Sequence, residues 1–201
     1  MLQVGLTGGM ATGKSTVAAE LVRLGCHLLK ADDLGHKLLE KEGPCYEPVV
    51  SAFGRAILDH NGNIERRRLG MVVFNESGAL DKLNAIIHPA VFAYEEQWLA
   101  GVKASEGEAI AVIEAAILIE TGNYKNFDKL IVTWCPVELM VERAVERSGW
   151  TPEEARRRIA KQMPIEEKKQ FADYLIDTSG TMESTLEQTR AVYAALRSLS
   201  V

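Results

Sequence analysis

The chain has 201 residues, 47% of them hydrophobic, enough for one substantial domain with insertions and too apolar for a disordered chain. A formal net charge of −5 argues against duplex nucleic acid as the main partner, although a local basic region could still receive an anionic ligand. The three cysteines, Cys26, Cys45 and Cys135, are odd in number, far apart and outside any C-x-x-C, so neither a disulfide framework nor a zinc knuckle is expected and a reducing cytoplasm fits best.

The chain opens on Leu2-Gln3-Val4-Gly5-Leu6, a short buried strand that runs at once into glycines. The basic start, long apolar core and small-residue cleavage site of a signal peptide are missing there. No run approaches the ~18 apolar residues of a membrane span. Val17, Leu21 and Leu24 recur at helical spacing after Lys14, and Gly25 stops that helix. Cys26–Lys30 reads as a second strand, with Asp32 or Asp33 as cap of the helix that follows. Strand, helix and strand in this order suggest a parallel α/β sheet.

Gly43-Pro44 is a break. From there to about residue 106 the pattern is helical with no convincing strand, and residues 33–95 read as a helical insertion carried on the sheet. Ala109–Ile113 and Leu130–Trp134 are two further buried strands. Residues 138–172 turn charged and helical, Tyr174–Ile176 supplies a last strand, and Met182–Leu199 a closing helix. No internal repeat or low-complexity tract occurs.

Gly8-Gly9-Met10-Ala11-Thr12-Gly13-Lys14-Ser15 matches G-x-x-x-x-G-K-[ST] in full, with a strand before it and a helix after it. A polyphosphate must be wrapped by several backbone N–H groups at once. Glycines at 8, 9 and 13 let the backbone approach, and the first helical turn adds unpaired donors and a positive dipole end. Ala11 and Thr12 complete the loop. Lys14 supplies a full charge for the β- and γ-phosphates, Ser15 a hydroxyl for Mg²⁺, and Thr16 a reach to the α-phosphate. A phosphotransferase using ATP and Mg²⁺ is therefore expected.

Weaker signals leave alternatives open. Glu114 ends an apolar strand and reads either as a carboxylate holding Mg²⁺ through water or as an ordinary strand-end acid; Glu120 is a second candidate or a solvated loop acid. Lys30 and Asp32 stand two apart at the edge where ligands of parallel sheets bind, which suits Asp32 as a general base or hydroxyl orienter, or equally as a helix cap. Asn84 and His88 share a helix face, and Pro89 biases His88 away from helix and can begin the next one. They form either a polar patch holding a substrate or a helix–helix corner. Arg143 and Arg147 share a face, and Arg156-Arg157-Arg158 follow. Residues 143–169 hold eight Lys/Arg against five Asp/Glu, so this stretch reads as a basic lid over phosphates or as a solvated charged surface. The three tryptophans read most simply as packing.

Taken together, these residues resemble the dephospho-CoA kinase family over nearly the whole chain. Gly5-Leu6-Thr7-Gly8-Gly9-Met10-Ala11-Thr12-Gly13-Lys14-Ser15 is similar to its G-L-T-G-G-I-x-S-G-K-S, whose doubled glycine separates it from adenylate kinases. Ala31-Asp32 falls on its D-A-D segment. Asn61-Gly62-Asn63-Ile64-Glu65-Arg66, with Leu69 and Phe74, resembles D-G-x-L-x-R-x-x-L…F, and Leu83-Asn84-Ala85-Ile86-Ile87-His88-Pro89 resembles L-N-x-x-x-H-P. Ala116-Ile117-Leu118-Ile119-Glu120 is similar to P-L-L-x-E. Arg143, Arg147, Arg158 and Gln162 resemble the family's lid, and Ala172–Asp177 its last strand.

The resemblance implies transfer of the ATP γ-phosphate to the ribose 3′-hydroxyl of dephospho-CoA, giving CoA and ADP, the last step of coenzyme A synthesis. It implies a P-loop kinase fold: a five-stranded parallel sheet flanked by helices, with a nucleotide core at 1–32, 94–139 and 173–201, a helical substrate domain at 33–93 and a lid at 140–172. Lys14, Asp32 and Arg143 are implied as catalytic. Gly8, Gly9, Ala11, Thr12, Gly13, Lys14, Ser15, Thr16 and Arg147 would hold nucleotide, with Ser15 on the metal. Asp32, Arg66, Asn84, His88 and Glu120 would hold substrate. No nucleic-acid or membrane partner is expected, and the chain would act as a monomer or small homo-oligomer. Two residues depart from the pattern. Ala116 replaces the proline of P-L-L-x-E, and Lys30 replaces the first aspartate of D-A-D, which puts an ammonium where a carboxylate is expected. Another small-metabolite kinase, or a weak or silent CoA- or ATP-binding homologue, are the readings that compete.

Overall fold

A computed structural model describes residues 1–199, with the side chain of Phe74 outside the described set; that position, quoted for the family resemblance, is left aside with residues 200–201. The chain divides into two compact units. One comprises Met1–Lys30 and the chain from Leu99 onward, the other Ala31–Trp98.

The first unit is built on five parallel strands, β1 (Leu2–Gly8), β2 (His27–Lys30), β3 (Ile110–Glu114), β4 (Lys129–Trp134) and β5 (Tyr174–Asp177), in the order β2-β3-β1-β4-β5. β1 is central, between β3 and β4, and is buried from Val4 to Gly8. A parallel strand covered on both faces has no solvent side, so Val4, Leu6, Ile110, Val112, Ile131 and Ile176 are all buried. One face is covered by α1 (Lys14–Arg23) and by the closing helix Met182–Leu199, whose Val17, Leu21, Val192 and Leu196 join the same core. Each such side chain contributes roughly 1.5–3 kcal/mol of transfer free energy. Glu20 is the buried exception in α1. It takes hydrogen bonds from Arg23 at 2.7 Å and from Arg190 at 2.8 Å, and these guanidinium groups hold its carboxyl at about 2. The helix ends at Leu24, and Gly25, at φ 100°, makes the turn into β2.

In the second unit the chain runs through α2 (Ala31–Leu38), α3 (Tyr46–Phe53), α4 (Arg66–Asn75) and most of α5 (Ala79–Ser105). The break expected at Gly43-Pro44 lies in the turn between α2 and α3. Among the described residues its only β pairing is an isolated antiparallel bridge, Leu58 to Ile64. Two local expectations are corrected here. Asp32 and Asp33 do not cap α2 from outside. They lie within its first turn, where their charge meets the positive end of the helix dipole, and the extended spacing assumed for Lys30 and Asp32 does not hold. Pro89 does not begin a new helix, because α5 continues through it. Proline removes one backbone donor and disfavours helix at the preceding residue, yet His88 stays helical, so the packing of a 27-residue helix overrides the local preference.

After β3 and β4 the first unit continues through α6 (Val137–Ser148), α7 (Pro152–Ile159), the single turn α8 (Ile165–Lys168), β5 and α9 (Met182–Leu199). Gly149 ends α6 at φ 66°, and Thr151 caps α7 through its hydroxyl to the Glu154 N–H at 3.2 Å. A small core of Val141, Ala144 and Ala155, with Trp150 and Ile159 against it, joins the two helices. No helix among the described residues is long and apolar enough to cross a membrane.

Candidate nucleotide site

β1 lies between β3 and β4, where the order of the sheet reverses, and the crevice at the C-terminal ends of such strands is where open α/β sheets take their ligands. The loop 9–13 leaves β1 at that point and enters α1 at Lys14. Its shape is set by contacts from distant strands. A Cβ on Gly8 would lie 2.3 Å from Thr133 Oγ1 and 2.5 Å from the Thr133 carbonyl, so only glycine lets β1 end flush against β4. Buried Thr12 and Thr133 join hydroxyls at 2.8 Å, and Thr12 Oγ1 also reaches the Gly9 carbonyl at 2.9 Å. Thr178, just past β5, donates to the Thr12 carbonyl at 3.0 Å. The loop is thus pinned from β4 and β5 together.

Within it, Gly13 at φ 79° turns the chain into α1, and Ala11 holds the left-handed region at φ 58°. That conformation costs on the order of 1–2 kcal/mol for a residue with a side chain. Stored at a loop so firmly pinned, it shapes the backbone as a concave cradle. Gly13 at the N-cap brings no capping side chain and no acid lies in the first turn of α1, so the positive end of the helix suits an anion. Lys14 Nζ donates to the Gly9 carbonyl at 3.0 Å and sits across the loop. Ser15 is exposed in the first turn, and Thr16 is half-buried one residue on.

Arg143 projects from α6 and donates to Thr178 through both its carbonyl, at 2.6 Å, and its hydroxyl, at 3.1 Å. With Gly13, Thr16, Thr178 and Gly180 it lines a cavity of about 210 Å³ against the start of α1. Beside it, burial pushes the Cys135 thiol above its ordinary range. Arg147, one turn further, is exposed. The basic stretch is less bare than its composition suggests. Arg156 pairs with Glu138, Arg157 and Arg158 with Glu154, and Lys169 with Glu166, while Arg158 also stacks on Trp150 at 4.3 Å.

Glu114 is buried at the end of β3, in register with Leu6 on one side and Lys30 on the other. Glu120 is engaged within the protein. Its Oε1 accepts from Lys168 Nζ at 2.8 Å and from the Met163 N–H at 3.1 Å, and fully buried Lys168 also donates to the Ala116 carbonyl at 2.7 Å. Among the described residues no three or more His, Cys, Asp or Glu gather around a metal position.

The remaining candidates belong to the second unit. Asp32 is exposed in the first turn of α2; further along that helix, His36 meets the guanidinium of Arg66 from α4. Asn84 and His88 are half-buried one helical turn apart on α5, where burial lowers the His88 pKa and favours a neutral ring. This unit also holds a cavity of about 430 Å³ lined by Leu34, Leu38, Pro44, Ala90, Ala93 and Tyr94 among others. Asp32, Arg66, Asn84 and His88 do not line it.

Sequence reasoning passed over Thr133, Thr178 and Lys168. The two threonines stand at strand C-terminal ends, a position that could have marked them. Lys168 sits in Glu166-Glu167-Lys168-Lys169, where nothing in the sequence distinguishes the fully buried cation from the half-buried Lys169 beside it.

A family model described as dephospho-CoA kinase matches residues 2–184. A dephospho-CoA kinase of Aquifex aeolicus is 45% identical over 98% of this chain and 98% of its own. Among solved structures, a Thermus thermophilus protein shares 29% identity at a TM-score of 0.82, covering 96% of each chain. A dephospho-CoA kinase from Campylobacter jejuni shares 27% identity at 0.74, covering 99% of this chain and 98% of that one.

Proposed function

The chain belongs to the dephospho-CoA kinase family, and from that premise we propose that it phosphorylates the ribose 3′-hydroxyl of dephospho-CoA with ATP, giving CoA and ADP. The observation that carries the nucleotide half of this reading is the pinned loop Gly8–Lys14, with its glycine contacts, its strained Ala11 and an uncapped helix start behind it. Neither competing reading, another small-metabolite kinase or a silent binder, is favoured by relatives that match nearly end to end.

The loop N–H groups and Lys14 hold the β- and γ-phosphates and offset charge on the transferring group. Thr16 lies towards the α-phosphate, and the cavity it lines with Arg143 takes the nucleoside end. Arg143, fixed on Thr178, then acts mainly in holding nucleotide. The exposed Ser15 hydroxyl would hold Mg²⁺, with Glu114 as a carboxylate acting through water, and the metal would supply charge that offsets the phosphates. Asp32 orients the 3′-hydroxyl and takes its proton as that oxygen bonds to phosphorus and the bond to the ADP oxygen breaks. Arg66, Asn84 and His88 serve substrate within a 33–93 acceptor domain, and 140–172 closes as a lid that keeps water out. The buried, unpaired thiols of Cys26, Cys45 and Cys135 suit a reducing cytoplasm. An ADP-release assay over a panel of acceptors tests the assignment. Dephospho-CoA should be turned over far faster than adenosine or shikimate; equal or absent turnover would sink it.

A further inference from the structure

The Gly9–Met10 peptide is gripped at both edges. Its carbonyl accepts from Lys14 Nζ at 3.0 Å, and its N–H donates to Gln162 Oε1 at 2.9 Å. The lysine ammonium marks where β- and γ-phosphate oxygens gather in loops of this kind, so the Gln162 carboxamide stands one peptide's breadth from the terminal phosphoryl group. Its orientation is fixed by chemistry. Only the oxygen can accept from an N–H, so the NH₂ is the group left to point elsewhere. Among the described residues that Nε2 donates no hydrogen bond.

The main chain beside it is held as firmly. The next N–H, at Met163, donates to Glu120 Oε1, and the same oxygen is bonded by Lys168, which has no solvent exposure. Lys168 is itself tied to the carbonyl of Ala116, as is the Thr7 hydroxyl at 3.3 Å. A buried cation, a carboxylate and the loop after β3 thus form a bracket around one glutamine. A surface glutamine needs no such support, whereas a group aimed at a reacting atom does.

We propose that Gln162 is a catalytic residue whose Nε2 donates a hydrogen bond to the γ-phosphoryl oxygens of ATP during transfer, with Glu120 and Lys168 as positioning residues. The inference rests on the ATP-dependent kinase reading but not on the identity of the acceptor. Glu120 then serves the reaction through Gln162 rather than by touching the acceptor. A neutral, directional donor complements Lys14, because it offsets charge that develops in transfer without holding ADP.

Gln162→Glu separates this role from simple capping of the Met10 N–H. A carboxylate still accepts that bond but presents an oxygen in place of the donor. Three proteins, wild type, Gln162→Glu and Gln162→Ala, are compared by turnover, by melting, and by calorimetry with a non-hydrolysable ATP analogue and with ADP, all with Mg²⁺. Gln162→Glu should melt like the wild type and lose kcat by on the order of 10²-fold. It should bind the ATP analogue about tenfold more weakly through like-charge repulsion, while ADP binding stays within about twofold. Gln162→Ala should lose kcat with a small loss of stability. Wild-type turnover in Gln162→Glu, or equal weakening of ATP and ADP, would overturn the proposal. If the wild type does not phosphorylate dephospho-CoA, the acceptor reading fails, and the ATP-to-ADP contrast still decides the role of Gln162. Lys168→Arg should retain that contrast and Lys168→Met should lose it; a contrast unchanged in Lys168→Met would remove Lys168 from the positioning role.

Discussion

Gly8→Ala probes the loop where its shape is least negotiable. The new methyl would meet Thr133 Oγ1 at 2.3 Å, the Thr133 carbonyl at 2.5 Å and Thr12 Oγ1 at 2.6 Å. Rotating Thr133 relieves the first contact only, because the second is with backbone that pairs Gly8 to β4. The strands must part or the loop must lift. Overpacking of this kind costs roughly 1–3 kcal/mol. Breaking the buried Thr12–Thr133 hydroxyl pair, 2.8 Å long, leaves polar groups unsatisfied for a further 1–3 kcal/mol or so. At about 2–4 °C per kcal/mol for a chain of this size, Tm should fall by roughly 5–20 °C. Calorimetric melting with and without ATP–Mg²⁺ reads both effects, since a displaced loop should also lose most of the nucleotide-induced rise in Tm. Gly101→Ala is the control. It lies in α5 with nothing within 4 Å of the added carbon, and replacing a helical glycine should stabilise by roughly 0.5–1 kcal/mol. A Gly8→Ala protein that melts within about 2 °C of the wild type, with its nucleotide shift intact, would refute the reasoning.

Lys14→Ala should lower kcat by roughly 10³-fold or more while circular dichroism stays native, because it removes the full charge held across the loop; near-normal turnover would contradict the loop's role. Lys168→Met should destabilise the chain by about 2–4 kcal/mol, since Glu120 keeps partial access to water and does not carry the full cost of a severed buried pair. Urea unfolding measures it, and a midpoint unchanged from the wild type would discount the ion pair. Glu20 has a folded-state pKa held down at about 2, so its contribution is complete above the unfolded value near 4.5 and is lost as pH falls from there towards 2. Glu20→Gln should therefore flatten the drop in Tm over that window, and an identical acid profile in both proteins would count against it. Lys30→Asp should raise kcat at least roughly tenfold if a second carboxylate at the end of β2 assists removal of the hydroxyl proton; an unchanged or lower kcat, measured at saturating ATP–Mg²⁺, would show that Asp32 suffices.

The parallel sheet and the phosphate loop were legible in the sequence because both rest on short-range pattern. Apolar runs of strand length mark the sheet, and the glycines and hydroxyls that flank Lys14 mark the loop. The requirement for Gly8 rests on Thr133, 125 positions away, and was readable only as part of a motif. Tertiary packing also overrode local rules at Pro89, which α5 accommodates, and at Asp32, which the helix absorbs into its first turn. Glu120 read as a second metal-site acid or a solvated loop acid, with a substrate role implied by the family resemblance. Its partner Lys168 lies 48 residues on, in the mixed-charge run Glu166-Glu167-Lys168-Lys169, so no spacing rule joins them. Gln162 was visible as part of a lid pattern, but its bond to Met10 spans 152 residues and carries no sequence signal.

The central claim is transfer of one phosphate to a single hydroxyl, and the product of the reaction tests it most directly. The wild-type chain, given ATP–Mg²⁺ and dephospho-CoA, should release ADP together with a product that a CoA-requiring acyltransferase accepts. The 3′-deoxy analogue of dephospho-CoA should bind and yield no phosphorylated product. Phosphorylation of the 3′-deoxy analogue, or failure to form CoA from dephospho-CoA, would contradict the account.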